Sequence, residues 1–132
     1  MTEVFIDGAS AGNPGLSGAG IFIKHAGNVQ SFEIELGMMT NNEAEFHALI
    51  KALEICQQAN FTSIQMKSDS TAVVGAIDKK YTKNEAQRKL LHTALQLIET
   101  FDLFLIDWIP SKQNRAADHL ARQAIWKQKK QK

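Results

Sequence analysis

The chain has little that would staple or tether it. It contains a single cysteine, Cys56, so no internal disulfide can form, and that suits a reducing compartment. Only two prolines are present: Pro14 lies in a glycine-rich turn, and Pro110 ends an apolar run. No stretch has the length and apolarity of a membrane span, and Met1-Thr2-Glu3 does not begin a signal peptide, so the expected location is the cytoplasm. Charge of one sign is lacking too. Fifteen Lys and Arg face fourteen Asp and Glu, for a formal net charge of +1, so any electropositive surface must be local. No internal repeat, linker or second domain is visible.

What is present fits one compact unit. The 132 residues are 44% apolar, and a chain of this length buries about two-thirds of its unfolded surface without staples. Residues 1–127 read as a single domain, and the basic, polar residues 128–132 are expected to fray.

β-branched and aromatic residues mark strands at Thr2 to Asp7, Gly18 to His25 and Val29 to Leu36, with a hairpin turn at Ala26-Gly27-Asn28. A helix is predicted from Asn41 to Ala59. Thr40 and Glu43 have the spacing of a capping box, and Ala48, Leu49, Ala52, Leu53 and Cys56 share one face. Further along come a strand at Ser63 to Lys67, helices at Thr71 to Ile77 and Glu85 to Glu99, and a strand at Leu103 to Ile109. A last helix starts near Asn114 and buries Ala117, Leu120, Ala121, Ala124 and Ile125. Three strands, then helix and strand in alternation, indicate a mixed α/β sheet with helices on its faces.

Four carboxylates occupy places that surface acids avoid. Asp7 and Asp69 each end a strand-like run, where open α/β sheets gather functional groups, and they meet if the two strands are parallel neighbours. Glu45 precedes Leu49 by four and Leu53 by eight, on the buried stripe of its helix; Asp118 precedes Ala121 by three and Ile125 by seven. A buried carboxylate needs a cation, a proton or strong donors. For Glu45 or Asp118 alone, service to a helix N-terminus through the dipole is an ordinary explanation, but it does not account for all four acids. Acid clusters without His or Cys suit hard cations such as Mg²⁺ or Mn²⁺, and a pair of such ions suits phosphodiester chemistry.

At these residues the chain resembles the type 1 ribonuclease H family. Asp7-Gly8-Ala9-Ser10 with Gly12-Asn13-Pro14-Gly15 is similar to its first motif, and Thr40-Asn41-Asn42-Glu43-Ala44-Glu45 to its second. Ser68-Asp69-Ser70 is similar to the third, and Asn114 with Ala117-Asp118 and Leu120-Ala121-Arg122 to the fourth. Any one motif is weak; four in order, over nearly the whole chain, are specific. The resemblance implies a ribonuclease H-like fold, a mixed five-stranded sheet with helices on both faces. It implies hydrolysis of the RNA strand of an RNA–DNA hybrid with two Mg²⁺ or Mn²⁺ ions bound alongside substrate. Asp7, Glu45, Asp69 and Asp118 would be catalytic and hold the metal. By the same resemblance, Asn13, Asn41 and Asn42 would contact the minor groove, where amides read 2′-hydroxyls; a turn and a helix cap are their ordinary roles. No obligate protein partner and no membrane are implied, and a monomer is the default.

Two departures stand out. Many members carry a histidine in the loop before the last aspartate; here Pro110-Ser111-Lys112-Gln113-Asn114-Arg115 has none. Lys112 or Arg115 would bring positive charge near the leaving phosphate, but neither relays protons near neutral pH. Many bacterial members also insert a basic protrusion after Asp69, and Lys79-Lys80-Tyr81-Thr82-Lys83 is too short for it, which implies weak, salt-sensitive hybrid binding. The departures keep open a hybrid-binding module that cleaves poorly or not at all. A resolvase- or transposase-like nuclease is a third reading. Trp108 and Trp126 are expected to pack at the core or its edge, and Cys56 to be inert.

Overall fold

The computed structural model describes residues 1–131. Its elements are β1 (Thr2–Ser10), β2 (Gly15–His25), β3 (Asn28–Met39), α1 (Asn41–Gln58), β4 (Ser63–Ser68), α2 (Thr71–Lys79), α3 (Glu85–Ile98), β5 (Leu103–Trp108) and α4 (Arg115–Lys130), with one 3₁₀ turn at Ser111–Gln113. The strands form one sheet in the order β3-β2-β1-β4-β5. β1, β2 and β3 pair antiparallel; β1, β4 and β5 run parallel.

The alternation of side chains along β1 and β2 assigns the helices to faces. A Cβ on Gly8 would lie 2.3 Å from the carbonyl carbon of Ala44 in α1, whereas one on Gly20 would lie 1.9 Å from the carbonyl oxygen of Ala117 in α4. Gly20 pairs with Asp7, and Gly8 points the other way, so α1 and α4 lie on opposite faces. The core sits under α1, where Val4, Ile6, Ile21, Ile23, Ile64 and Met66 meet Phe46, Leu49 and Leu53, all fully or almost fully buried. α3 packs on α1, and α4 alone covers β1 to β3 on the far side.

Local sequence explains the boundaries. Thr40 and Glu43 form the expected capping box: each backbone N–H is accepted by the other residue's side chain, at 3.0 and 3.2 Å. Asn60, at φ 60°, turns the chain out of α1. Three differences from the sequence reading matter. β1 runs past Asp7 to Ser10, because β2 pairs with it throughout while β4 stops at Ile6↔Ser68. β2 and β3 are longer at the turn that carries Asn13. The expected fraying of 128–132 is not seen as far as Lys130. Gln128 is buried, donates to the carbonyl oxygens of Ser17 and Ala124, and accepts from the N–H of Gly37, which fastens the end of α4 to β2 and β3. Lys132 lies outside the described residues. α2 and α3 are joined by residues 80–84 only, so the basic protrusion is absent. Among the described residues, no helix is long and apolar enough to cross a membrane.

Candidate active site

The site is built where the sheet splits. β1 and β4 are parallel neighbours that pair as far as Ile6 and Ser68, so Asp7 and Asp69 are the next residues on adjacent strands. Neighbouring strands are only about 4.8 Å apart. Glu45 enters from α1, which can approach closely because residue 8 is glycine, and the N–H of Gly8 donates to Glu45 Oε1 at 2.6 Å. One oxygen from each of Asp7, Glu45 and Asp69 lies within 4.8 Å of the others. Asp118 comes from the opposite face. α4 rests directly on Gly20, beside Asp7, and Asp118 follows the contacting Ala117, which brings its carboxylate within hydrogen-bonding reach of Asp7. Of the four acids, Asp7, Glu45 and Asp69 thus bring carboxylate oxygens within 4.8 Å of one another, and Asp118 stands at their edge on the wall of the same cavity as Asp7 and Glu45.

Concentrating these groups is electrostatically unfavourable. Burial pushes the Asp7 carboxyl up to about 10, and the charges of Glu45, Asp69 and Asp118 add to the shift. Burial also raises Glu45, to about 8; the Gly8 N–H opposes the rise and the charges of Asp69 and Asp118 support it. A cation removes both penalties. The donor set is entirely carboxylate oxygen, which fits a hard divalent ion and excludes a thiolate- or imidazole-selected one.

Backbone anchors hold the acids in place. The Asn114 side chain is 1% exposed and its Nδ2 donates to the carbonyl oxygen of Ile6 at 2.8 Å, next to Asp7. Trp108 Nε1 donates to the carbonyl oxygen of Asp69 at 3.1 Å. Arg122 Nε reaches both oxygens of Asp118, at 3.1 and 3.0 Å. Sequence alone gives Asn114 a place in a motif but no role, and it assigns Trp108 and Trp126 to packing. Both indoles are half-exposed, at 51% and 55%, which leaves the edge and not the core of the expected packing.

A cavity of about 420 Å³ opens over the acids, lined by Asp7, Glu45 and Asp118 together with Asn41, Arg122 and Trp126, among others. Asn13 lies on the same rim, its Oδ1 accepting the N–H of Asn41 at 3.0 Å. Asn42 is exposed beside them. Lys112 and Arg115 are not brought to the acids. They line a separate cavity of about 210 Å³ with Phe5, Phe22 and Lys24, on the side of α4's first turn away from Arg122 and Trp126. Sequence reasoning misses Arg122 and Trp126 as site residues, although both follow Asp118 at helical spacing, four and eight residues on.

Comparison with known proteins agrees with this architecture. The family described as reverse transcriptase-like matches residues 5–124. A putative hydrolase, EbsB, of Enterococcus faecalis is 43% identical over 129 residues, covering 96% of both chains. Ribonuclease HI of Halobacterium salinarum is 33% identical over 93% of this chain, which spans 63% of that protein's length. The crystal structure of RNase H1 from Halobacterium salinarum superposes with a TM-score of 0.88 at 32% identity, over 94% of this chain and 96% of that one. LC11-RNase H1, crystallised in complex with RNA/DNA hybrid, superposes with a TM-score of 0.89 at 28% identity, over 96% and 98%. Because the likeness runs from β1 into α4 and keeps both sequence and topology, the chain belongs to the type 1 ribonuclease H family, as a short form without the basic protrusion.

Proposed function

We infer that this chain is an endoribonuclease that hydrolyses the RNA strand of RNA–DNA hybrids with the help of divalent metal ions. The observation that carries the reading is the meeting of buried Asp7 and Glu45 with half-buried Asp69, and with Asp118 at its edge, beside an open cavity. Carboxylates gathered at this cost to the fold are explained by a cation and by little else. The relative crystallised with RNA/DNA hybrid supports the substrate class.

Asp7, Glu45, Asp69 and Asp118 would hold Mg²⁺ or Mn²⁺, two ions when substrate is bound. Such ions supply charge neutralisation at the phosphodiester and a more acidic water for in-line attack, with departure of the 3′-oxygen. The remaining work belongs to the chain itself. The Gly8 N–H keeps one Glu45 oxygen turned inward, and Asn114 and Trp108 fix the backbone at Ile6 and Asp69. Asn41 lines the cavity and Asn13 is bonded to it; with exposed Asn42 they would contact the minor groove, where side-chain amides donate to and accept from 2′-hydroxyls. Arg122 neutralises Asp118 and stands where an arriving phosphate would compete for it.

A second reading, a module that binds hybrid but cleaves poorly, is favoured by the histidine-free segment from Pro110 to Arg115 and by the short connection at 80–84. The deciding experiment incubates the protein with labelled RNA–DNA hybrid, duplex RNA, duplex DNA and branched DNA, in Mg²⁺ and in Mn²⁺, beside Asp7→Asn. Cleavage confined to hybrid and lost in the variant is expected. Binding without cleavage in either metal establishes the second reading, and cleavage of branched DNA a resolvase-like one.

A further inference from the structure

The cavity over the acids does not end at Asp118. It continues along the outer face of α4 past Arg122 and Ile125 to Trp126 and Lys129. These residues recur at helical spacing, so they form one stripe aimed the same way as Asp118. Trp126 is 55% exposed, and the Lys130 ammonium lies 3.7 Å from its ring centroid. That contact steadies the indole and adds a cation to the stripe. Lys127, on the other side of the helix, is paired with Glu33 at 2.7 Å. Among the described residues, neither Lys129 nor Lys130 is paired with a carboxylate. An aromatic plate flanked by lysines that no described carboxylate pairs, continuous with a cleft for phosphodiesters, has the composition that grips a nucleic-acid strand.

We propose that Trp126, Lys129 and Lys130 form a subsite that holds the nucleic-acid strand beyond the cleaved bond, with Trp126 packing flat on a sugar and the lysines on phosphates. The subsite takes over in part the grip that the absent protrusion supplies elsewhere. Trp126 is eight residues from Asp118, or about 12 Å along the helix. A strand advances about 3.4 Å per nucleotide along a duplex, so the contact falls within about four nucleotides of the reaction. The inference rests on the hybrid-nuclease reading for its substrate.

The test measures binding of a labelled RNA–DNA hybrid by fluorescence anisotropy in an Asp7→Asn background, where cleavage cannot interfere. Adding Trp126→Ala is expected to weaken binding roughly tenfold, and Trp126→Tyr to restore most of it, because the exposed ring acts by packing on the strand and not by holding the fold. Adding Lys129→Gln and Lys130→Gln is expected to lower the slope of log affinity against log salt by about 0.7–0.9 for each phosphate no longer neutralised. Unchanged affinity and slope in these variants overturn the subsite. Sedimentation that shifts from dimer to monomer with Trp126→Ala overturns it as well, by assigning the ring to a second copy of the chain. If the variants weaken binding while the unmodified protein cleaves nothing in either metal, the subsite stands and the nuclease reading falls. Absence of any hybrid binding by the Asp7→Asn protein overturns both.

Discussion

Consider replacing Asp7 by Asn in protein stripped of metal. The amide has the shape of the carboxylate and none of its charge. In the native fold Asp7 is 5% exposed and its carboxyl is raised to about 10; Glu45 beside it is raised to about 8. In the unfolded chain both titrate near 4. Between about pH 5 and pH 8 the folded site therefore keeps at least one proton that the unfolded chain has released. Stability must then fall as pH rises, by about 1.4 kcal/mol for each pH unit and each retained proton. Over three units that is about 4 kcal/mol, a large part of the total for a domain of this size. The contribution of these two acids is fully present below the unfolded pKa and is lost as pH rises towards the folded values. Asp7→Asn removes the proton most strongly retained, while Glu45 keeps the burial and the Asp69 and Asp118 charges that raise it.

Thermal and urea unfolding in EDTA, from about pH 5 to about pH 8, measure the effect directly. At the alkaline end the variant is expected to be more stable by about 2–4 kcal/mol, or roughly 10 °C in Tm, with the gap closing towards pH 5. His47, whose pKa burial lowers, pushes stability the opposite way with pH but is common to both proteins and cancels in the difference. Mg²⁺ is expected to raise the wild type more than the variant. Stability curves that run parallel across this range in EDTA would refute the claim that the acids strain the metal-free fold.

Two further substitutions probe how the acids are held. Gly20→Ala sets a methyl 1.9 Å from the Ala117 carbonyl oxygen, so α4 must lift and carry Asp118 away; a loss of about 1–3 kcal/mol together with a fall in kcat on hybrid is expected. The matched control is Gly75→Ala, where the added carbon meets nothing within 4 Å inside α2, and unfolding should show a gain of about 0.5–1 kcal/mol. Asn114→Ala leaves the buried Ile6 carbonyl without its 2.8 Å donor; thermal melts should register about 1–3 kcal/mol, and kcat should drop about tenfold to a hundredfold through misplacement of Asp7. An Asn114→Ala protein with normal kcat would show that the Ile6 contact does not set the position of the acid.

Much of this site is legible in residue types and spacing, and what is not has a common physical origin. Glu45 on a buried stripe and Asp69 after a strand are local signals, and each falls where the sequence places it. The ends of β1 and α4 escape a local reading because pairing and docking across the chain decide them. β1 continues to Ser10 on the strength of β2, and residues 128–130 remain helical because Gln128 bonds to Ser17, more than a hundred residues away. Nearness in sequence to Asp118 assigns Lys112 and Arg115 to the site, yet they lie before it along the chain and line a different cavity, beside Phe5 and Phe22. Arg122 and Trp126, four and eight residues after Asp118, continue its stripe in the other direction along the helix. What no local pattern reveals is the height of α4 above the sheet. Gly20 has no side chain to report a function, but its missing methyl lets the helix backbone descend to contact, and that descent puts Asp118 within reach of Asp7. The fourth acid is thus positioned by an absence on a different strand, so its place in the cluster is a property of packing and not of any motif that contains it.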